Sequence, residues 1–183
     1  MAQDPLKVAV IIGSVREGRV GDTVAHWFLE RAGKRDDLEL DVLDLVDHPD
    51  LPVRHPASPT PATLRLTRHF DRADAFVIVT PEYNRSFPAA LKQAIDLGYD
   101  EWHAKPVAFV SYGYGSHGLY AVEQLRTVFT ELRAMSLRDG VGLNLVDELP
   151  QDPENRAVTT MLDQLVWWGL ALREARAVRP YTS

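Results

Sequence analysis

Leu6-Lys7-Val8-Ala9-Val10-Ile11-Ile12-Gly13-Ser14-Val15-Arg16-Glu17-Gly18-Arg19-Val20-Gly21 is the stretch on which the fold turns. Leu6 to Ile12 is an almost unbroken aliphatic run, the pattern of a strand buried on both faces. Gly13 lets the chain leave that strand sharply, and Asp22 or Thr23 can cap a helix whose Val24, Trp27 and Phe28 share an apolar face. A buried strand running through a glycine-bearing turn into a helix opens an α/β unit, and in open α/β sheets ligands gather outside the carboxyl ends of the strands.

Outward from that stretch, strand and helix alternate along the chain. Leu38 to Leu43 reads as a second, less buried strand, followed by an ordered surface loop carrying Pro49, Pro52, Pro56, Pro59 and Pro61. The pattern predicts a helix over Thr63 to Phe70, a third strand over Ala73 to Thr80, and a helix over Ala89 to Leu97 opened by Pro88. Pro106 starts a fourth strand, His117 to Met135 a long helix, and Leu137 to Val146 a fifth strand weakened by Gly140 and Gly142. Pro153 opens a last helix to about Arg176 with Met161, Leu165, Trp168 and Leu172 on one stripe. Five strands with interleaved helices imply a doubly wound parallel sheet with helices on both faces, because crossovers are right-handed. We find no repeat and no second domain, so residues 1–183 are expected to form one unit.

Bulk composition narrows the function. The 183 residues are 45% hydrophobic and 25% charged, ordinary globular usage. A net charge of −6 disfavours a nucleic-acid partner, which needs a concentrated basic face. There is no cysteine, hence no disulfide framework, thiolate metal site or cysteine nucleophile. No run approaches the roughly 20 apolar residues of a membrane helix, and the N-terminus lacks a signal-like pattern, so a cytoplasmic protein is expected. The six histidines form no H-E-x-x-H pair, and Asp41, Asp44 and Asp47 have no metal-loop spacing and read as an exposed strand edge, so no metal is expected.

Three loops follow buried strands. In the first, a phosphate would find a helix N-terminus, the Ser14 hydroxyl, and the guanidinium groups of Arg16 and Arg19. Its spacing resembles a nucleoside-triphosphate loop, but Arg19-Val20 stands where Lys-Ser/Thr is required, and Glu17 and Asp22 leave it formally neutral. The bland reading is a strand-to-helix turn. In the second, Pro81-Glu82-Tyr83-Asn84 offers a rigid corner, a carboxylate, a phenol and an amide, suited to the edge and face of a flat heteroaromatic ring. The third, Ser111-Tyr112-Gly113-Tyr114-Gly115, has glycines that allow a ring to approach and tyrosines that stack on it or cover the rim. Gly115-Ser116-His117-Gly118 is near a hydrolase nucleophile elbow, but Tyr114 stands where glycine is needed.

These residues, with Pro88-Ala89-Ala90-Leu91-Lys92-Gln93-Ala94-Ile95-Asp96 and Lys105-Pro106-Val107, resemble the NAD(P)H-dependent FMN reductase family over nearly the whole chain. The resemblance implies a flavodoxin-like sheet of order 2-1-3-4-5 and non-covalent FMN, with NAD(P)H as co-substrate. Ser14, Arg16, Arg19 and the amides of Val20 and Gly21 would surround the phosphate. Pro81, Glu82, Tyr83 and Asn84 would line the isoalloxazine, with Ser111, Tyr112, Gly113 and Gly115 opposite. It also implies a homodimer or homotetramer and a small-molecule acceptor such as a flavin, quinone or azo compound. No residue is expected to serve as general acid or base, since the flavin carries hydride transfer and the protein supplies orientation. Glu82 reads better as a structural group. The chain departs from many relatives at Arg85-Ser86-Phe87, where Gly-Ser is common after Asn. A rival from another class is a non-enzymatic flavin-binding electron carrier or regulatory module. Of Trp167 and Trp168, neighbours about 100° apart on a helix, one is expected to meet a partner subunit.

Overall fold

The computed structural model describes residues 4–152 and 155–182. Strand β1 (Leu6–Ile12) leads to helix α1 (Gly21–Ala32), β2 (Leu38–Asp44), α2 (Pro61–Arg72), β3 (Ala75–Pro81) and α3 (Ala89–Asp96). Then come β4 (Pro106–Gly113), α4 (Leu119–Glu131), the short strands β5 (Met135–Ser136) and β6 (Val141–Asn144), and α5 (Arg156–Val178). The strands run parallel in the order β2-β1-β3-β4-β5, with β6 also pairing to β4. This is the 2-1-3-4-5 flavodoxin-like order, and the side chains explain why both faces are covered. Val8, Val10 and Ile12 pack with α1 and α5 on one face, while Ala9 and Ile11 pack with α2, α3 and α4 on the other. Every residue of β3 and β4 is buried, as continuous apolar strands require.

Several boundaries differ from the sequence reading. The expected fifth strand, Leu137 to Val146, is two short pieces on the same edge of β4, and Met135 belongs to the first of them rather than to the preceding helix. The chain leaves the ladder between them, where Arg126 of α4 bonds the carbonyls of Leu137 and Arg138. Helix α2 starts earlier than expected because Thr60 and Thr63 form a reciprocal capping box ahead of Pro61. Helix α1 begins at Gly21 without a side-chain cap; Asp22 lies in its first turn and accepts from the Thr23 amide. Pro153 lies outside the described residues, and the last helix is capped by Asn155, which accepts from the Val158 amide at 3.2 Å.

The stripe on α5 is also corrected. Val158, Met161, Leu162, Leu165 and Gly169 face the core, whereas Trp168 is 38% exposed beside Trp167 at 64%. Gly169 wins the inward position because a Cβ there would fall 2.5 Å from Leu6 Cδ2, closer than any carbon can sit. The two indole rings contact each other edge-on at 4.8 Å. Among the described residues no helix is long and apolar enough to cross a membrane, and no cluster of ligating side chains fit to hold a metal occurs.

Candidate functional site

Beyond the carboxyl ends of β1, β3 and β4 lies a cleft of about 850 Å³. Ser14 to Val20, Pro81 to Asn84, Pro88 to Ala90, Tyr112 to Tyr114 and Leu145 line it. Three loops separated by up to a hundred positions therefore meet because their strands are neighbours, the placement the strand-end rule requires. The parallel ladder carries them to the rim: Gly13 N–H donates to Val79 O at 2.9 Å, and Glu82 N–H to Tyr112 O at 2.9 Å.

The first two loops are joined directly. The buried Ser14 hydroxyl and the Tyr83 hydroxyl lie 2.9 Å apart in a hydrogen bond. The exposed Arg16 guanidinium sits 5.8 Å from the Tyr83 ring centroid, within cation–π range. Tyr83 is held by a tight turn in which Tyr83 N–H donates to Ser86 O at 2.7 Å and Ser86 N–H to Tyr83 O at 3.0 Å. Asn84 (φ 51°) and Arg85 (φ 66°) form the turn's centre, both left-handed, a pattern that favours Asn-Gly. Arginine stands at the glycine position, its guanidinium 4.0 Å from the Tyr120 ring centroid.

Other sequence-selected residues have supporting places. Glu82 lines the cleft, but its carboxylate accepts from the Tyr120 amide at 3.1 Å, closing the open start of α4. Ser111 is buried and donates to His117 O at 2.8 Å, and Gly115 N–H donates to Asn144 Oδ1 at 3.0 Å. Ser111, Gly115 and Gly21 are not among the cleft-lining residues. Ser111 and Gly115 fix the loops that are, and Gly21 is the first residue of α1, at the helix start that opens toward the cleft. Tyr114 stands at the rim, 77% exposed.

Two features bear on an anion. Helix α1 presents an N-terminus that no side chain caps, so its first N–H groups are available to a ligand. The buried Tyr112 hydroxyl makes no hydrogen bond of good geometry, though the Ser14 hydroxyl lies beside it and partly offsets the effect of burial, which pushes the Tyr112 pKa well above the ordinary phenol value. It occupies the space beside Gly21, where a Cβ would fall 2.7 Å from the oxygen. Arg19, by contrast, is engaged: Nη1 and Nη2 donate to the two oxygens of Asp44 at 2.6 Å each, and Nη1 also to Ser14 O at 2.6 Å. Asp44 holds the guanidinium charged, above its ordinary pKa. The sequence pattern reads Asp44 as part of an exposed strand edge, and the structure corrects this. Its position as the last residue of β2, at the carboxyl end of the sheet, was the available signal.

Residues 6–146 match the model of a protein family described as NADPH-dependent FMN reductase. The chain belongs to that family. This FMN reductase family member is similar to an NAD(P)H-dependent FMN reductase of Schizosaccharomyces pombe, 37% identical over 130 residues, covering 67% of this chain and 64% of that one. The match thus spans slightly less than two thirds of that relative's length. A quinone reductase of Pseudomonas putida is 36% identical over 140 residues, covering 71% and 74%. The flavoenzyme FerB of Paracoccus denitrificans, an NAD(P)H:(acceptor) oxidoreductase, shares the family member's fold with a TM-score of 0.75 at 23% identity, over 91% of this chain and 98% of that one.

Proposed function

We propose that this chain is an FMN-dependent oxidoreductase that takes hydride from NAD(P)H and passes electrons to a small-molecule acceptor, with quinones the favoured class. The observation that carries the reading is the Ser14–Tyr83 hydrogen bond, which ties the loop suited to a phosphate to the loop suited to a ring across one cleft. The volume of about 850 Å³ matches the range of small-molecule and cofactor sites. The donor chemistry fits the cofactor as well: an unpartnered buried hydroxyl on Tyr112 and an uncapped helix start suit a phosphate monoester.

Bound in the cleft, FMN supplies the two-electron chemistry. Arg16, Ser14 and the amides of Val20 and Gly21 would neutralise and bond its phosphate. Pro81, Tyr83 and Asn84 would hold the ring from the second loop, and Tyr112 and Gly113 from the third. Glu82 is committed to the start of α4, so it orients the second and third loops and moves no proton. Similarity to a quinone reductase and to FMN reductases supports the acceptor class. We further propose that residues 1–183 act as one FMN-binding domain in a cytoplasmic homodimer or homotetramer, a reading supported by the exposed Trp167–Trp168 pair.

The test is a visible spectrum of purified protein with FMN under anaerobic conditions, before and after NADPH and then a benzoquinone. Bleaching by NADPH and recovery with quinone are expected. Failure to bind FMN, or binding without NADPH oxidation, overturns the enzyme reading; the second outcome is that of an electron carrier.

A further inference from the structure

Arg19 sits in the loop proposed to hold the phosphate and lines the cleft, yet its donors are already taken within the protein. A guanidinium carries its five N–H groups in a rigid fork. Here one prong bonds both Ser14 O and Asp44 Oδ1 and the other bonds Asp44 Oδ2, all at 2.6 Å. Asp44 is fixed in turn, because Oδ1 also accepts from the Val46 amide at 3.2 Å. The pair is shielded, with side-chain exposures of 14% and 16%. Turning Arg19 toward an anion would break three hydrogen bonds and leave a half-buried carboxylate unpaired, facing a dianion.

We propose that Asp44 is a positioning residue of the nucleotide site, which makes Arg19 a strut of the phosphate loop and not a ligand of phosphate. The inference rests on the FMN reading above and deepens it. The strut runs from the end of β2 through Asp44 and Arg19 to the Ser14 carbonyl, and from the Ser14 hydroxyl to Tyr83 in the second loop. It closes the turn from Ser14 to Arg19 from behind. The open helix start and Arg16 are left to meet the phosphate. Asp44 thereby sets the loop's shape without touching the ligand, and the Asp44–Arg19 pair contributes no net charge to the cleft.

The experiment compares dissociation constants for FMN and for riboflavin, which lacks the phosphate, by flavin fluorescence titration of flavin-stripped protein. Asp44→Asn keeps the shape and the Val46 contact but loses one prong of the fork. Arg19→Lys keeps the charge but loses the two-pronged grip on the Asp44 carboxylate. Under the proposal each raises the FMN dissociation constant about tenfold or more, the effect of losing a charge-assisted partner, while riboflavin binding stays within about twofold. The double variant is no worse than the worse single one, since both break the same strut.

If Arg19 were a phosphate ligand, Asp44→Asn would free its guanidinium and bind FMN as well or more tightly, and that result overturns the proposal. Equal loss of FMN and riboflavin in both variants also overturns it, by showing a general structural role. Should Asp44→Asn fail to fold, Asp44→Glu, which keeps a carboxylate but moves it out of register with the fork, makes the same distinction. A wild-type protein that binds neither flavin sinks the FMN reading itself, a result distinct from all of these.

Discussion

The two ends of the parallel sheet use polar groups differently, although the carboxyl end too holds one closed pair, Arg19 and Asp44. At the end where β1 begins, charge is consumed internally. The buried Lys105 ammonium donates to Phe70 O at 2.8 Å and Asp71 O at 3.1 Å, satisfying the last carbonyls of α2. Arg173 and Arg176 both pair with Asp74, which also accepts from the Lys7 amide. Arg176 further bonds Ala104 O. At the other end Arg16 is exposed, the Tyr112 hydroxyl is unpartnered, and α1 starts uncapped. A satisfied polar group holds a fold together, whereas one aimed into a cleft without a partner is available to a ligand. The contrast supports the site proposed at the carboxyl end.

The largest expected effect comes from the third loop. Gly118 has φ +80°, and a Cβ there would lie 2.5 Å from Ser111 Cβ and 2.7 Å from the Tyr112 amide nitrogen. Gly118→Ala combines a left-handed backbone with a clash against main chain, and should cost about 4 kcal/mol or prevent folding. Urea unfolding measures it; a loss below about 1 kcal/mol would show that the cleft end is loosely built.

The opposite end sharpens the comparison through pH. Burial lowers the Lys105 pKa to about 8, against about 10.4 in an unfolded chain. Between those values the unfolded state binds more protons, so this group's contribution makes stability rise with pH across the window and level off below 8. The stability of wild type minus that of Lys105→Met should therefore climb by about 3 kcal/mol from pH 8 to 10.4. A flat difference would mean that the carbonyl partners fully offset the burial.

Arg16→Ala should weaken FMN binding by about 2 kcal/mol, the worth of a hydrogen bond to a charged group, and leave unfolding free energy within about 0.5 kcal/mol. Titration against FMN and riboflavin separates the phosphate from the ring. Unchanged FMN affinity would remove Arg16 from the phosphate site.

The smallest effect belongs to Tyr112→Phe. Removing an unpartnered buried hydroxyl should leave the flavin-free protein as stable or up to about 1 kcal/mol more stable, while weakening FMN. A marked drop in the melting temperature of the flavin-free protein would show that the hydroxyl already has a structural partner, and the contrast between the two ends would blur.

How far these conclusions were legible in the sequence depends on the range of the interaction. Near-continuous apolar runs at β1, β3 and β4 announced buried parallel strands, because burial on both faces leaves few polar positions. Helix starts were less legible. Thr60 and Thr63 formed a cap that a propensity reading passes over, and Val20 left α1 without one. On α5 a strong apolar spacing pointed Trp168 inward, but the core took Gly169, because Leu6, from the other end of the chain, occupies the space a larger residue needs.

By itself the sequence determined which segments are strands, which loops carry hydroxyl, guanidinium and phenol groups, and which family the chain resembles. Those depend on side-chain type and on spacing over a few residues. Only the tertiary structure decided that Ser14 bonds Tyr83, that Glu82 closes α4, and that Arg19 is bound to Asp44 instead of standing free. Each of those is a contact between residues 25 to 69 positions apart. Which of many possible partners a polar group takes at that range is set by the packing of the sheet, and no local pattern of residues encodes it.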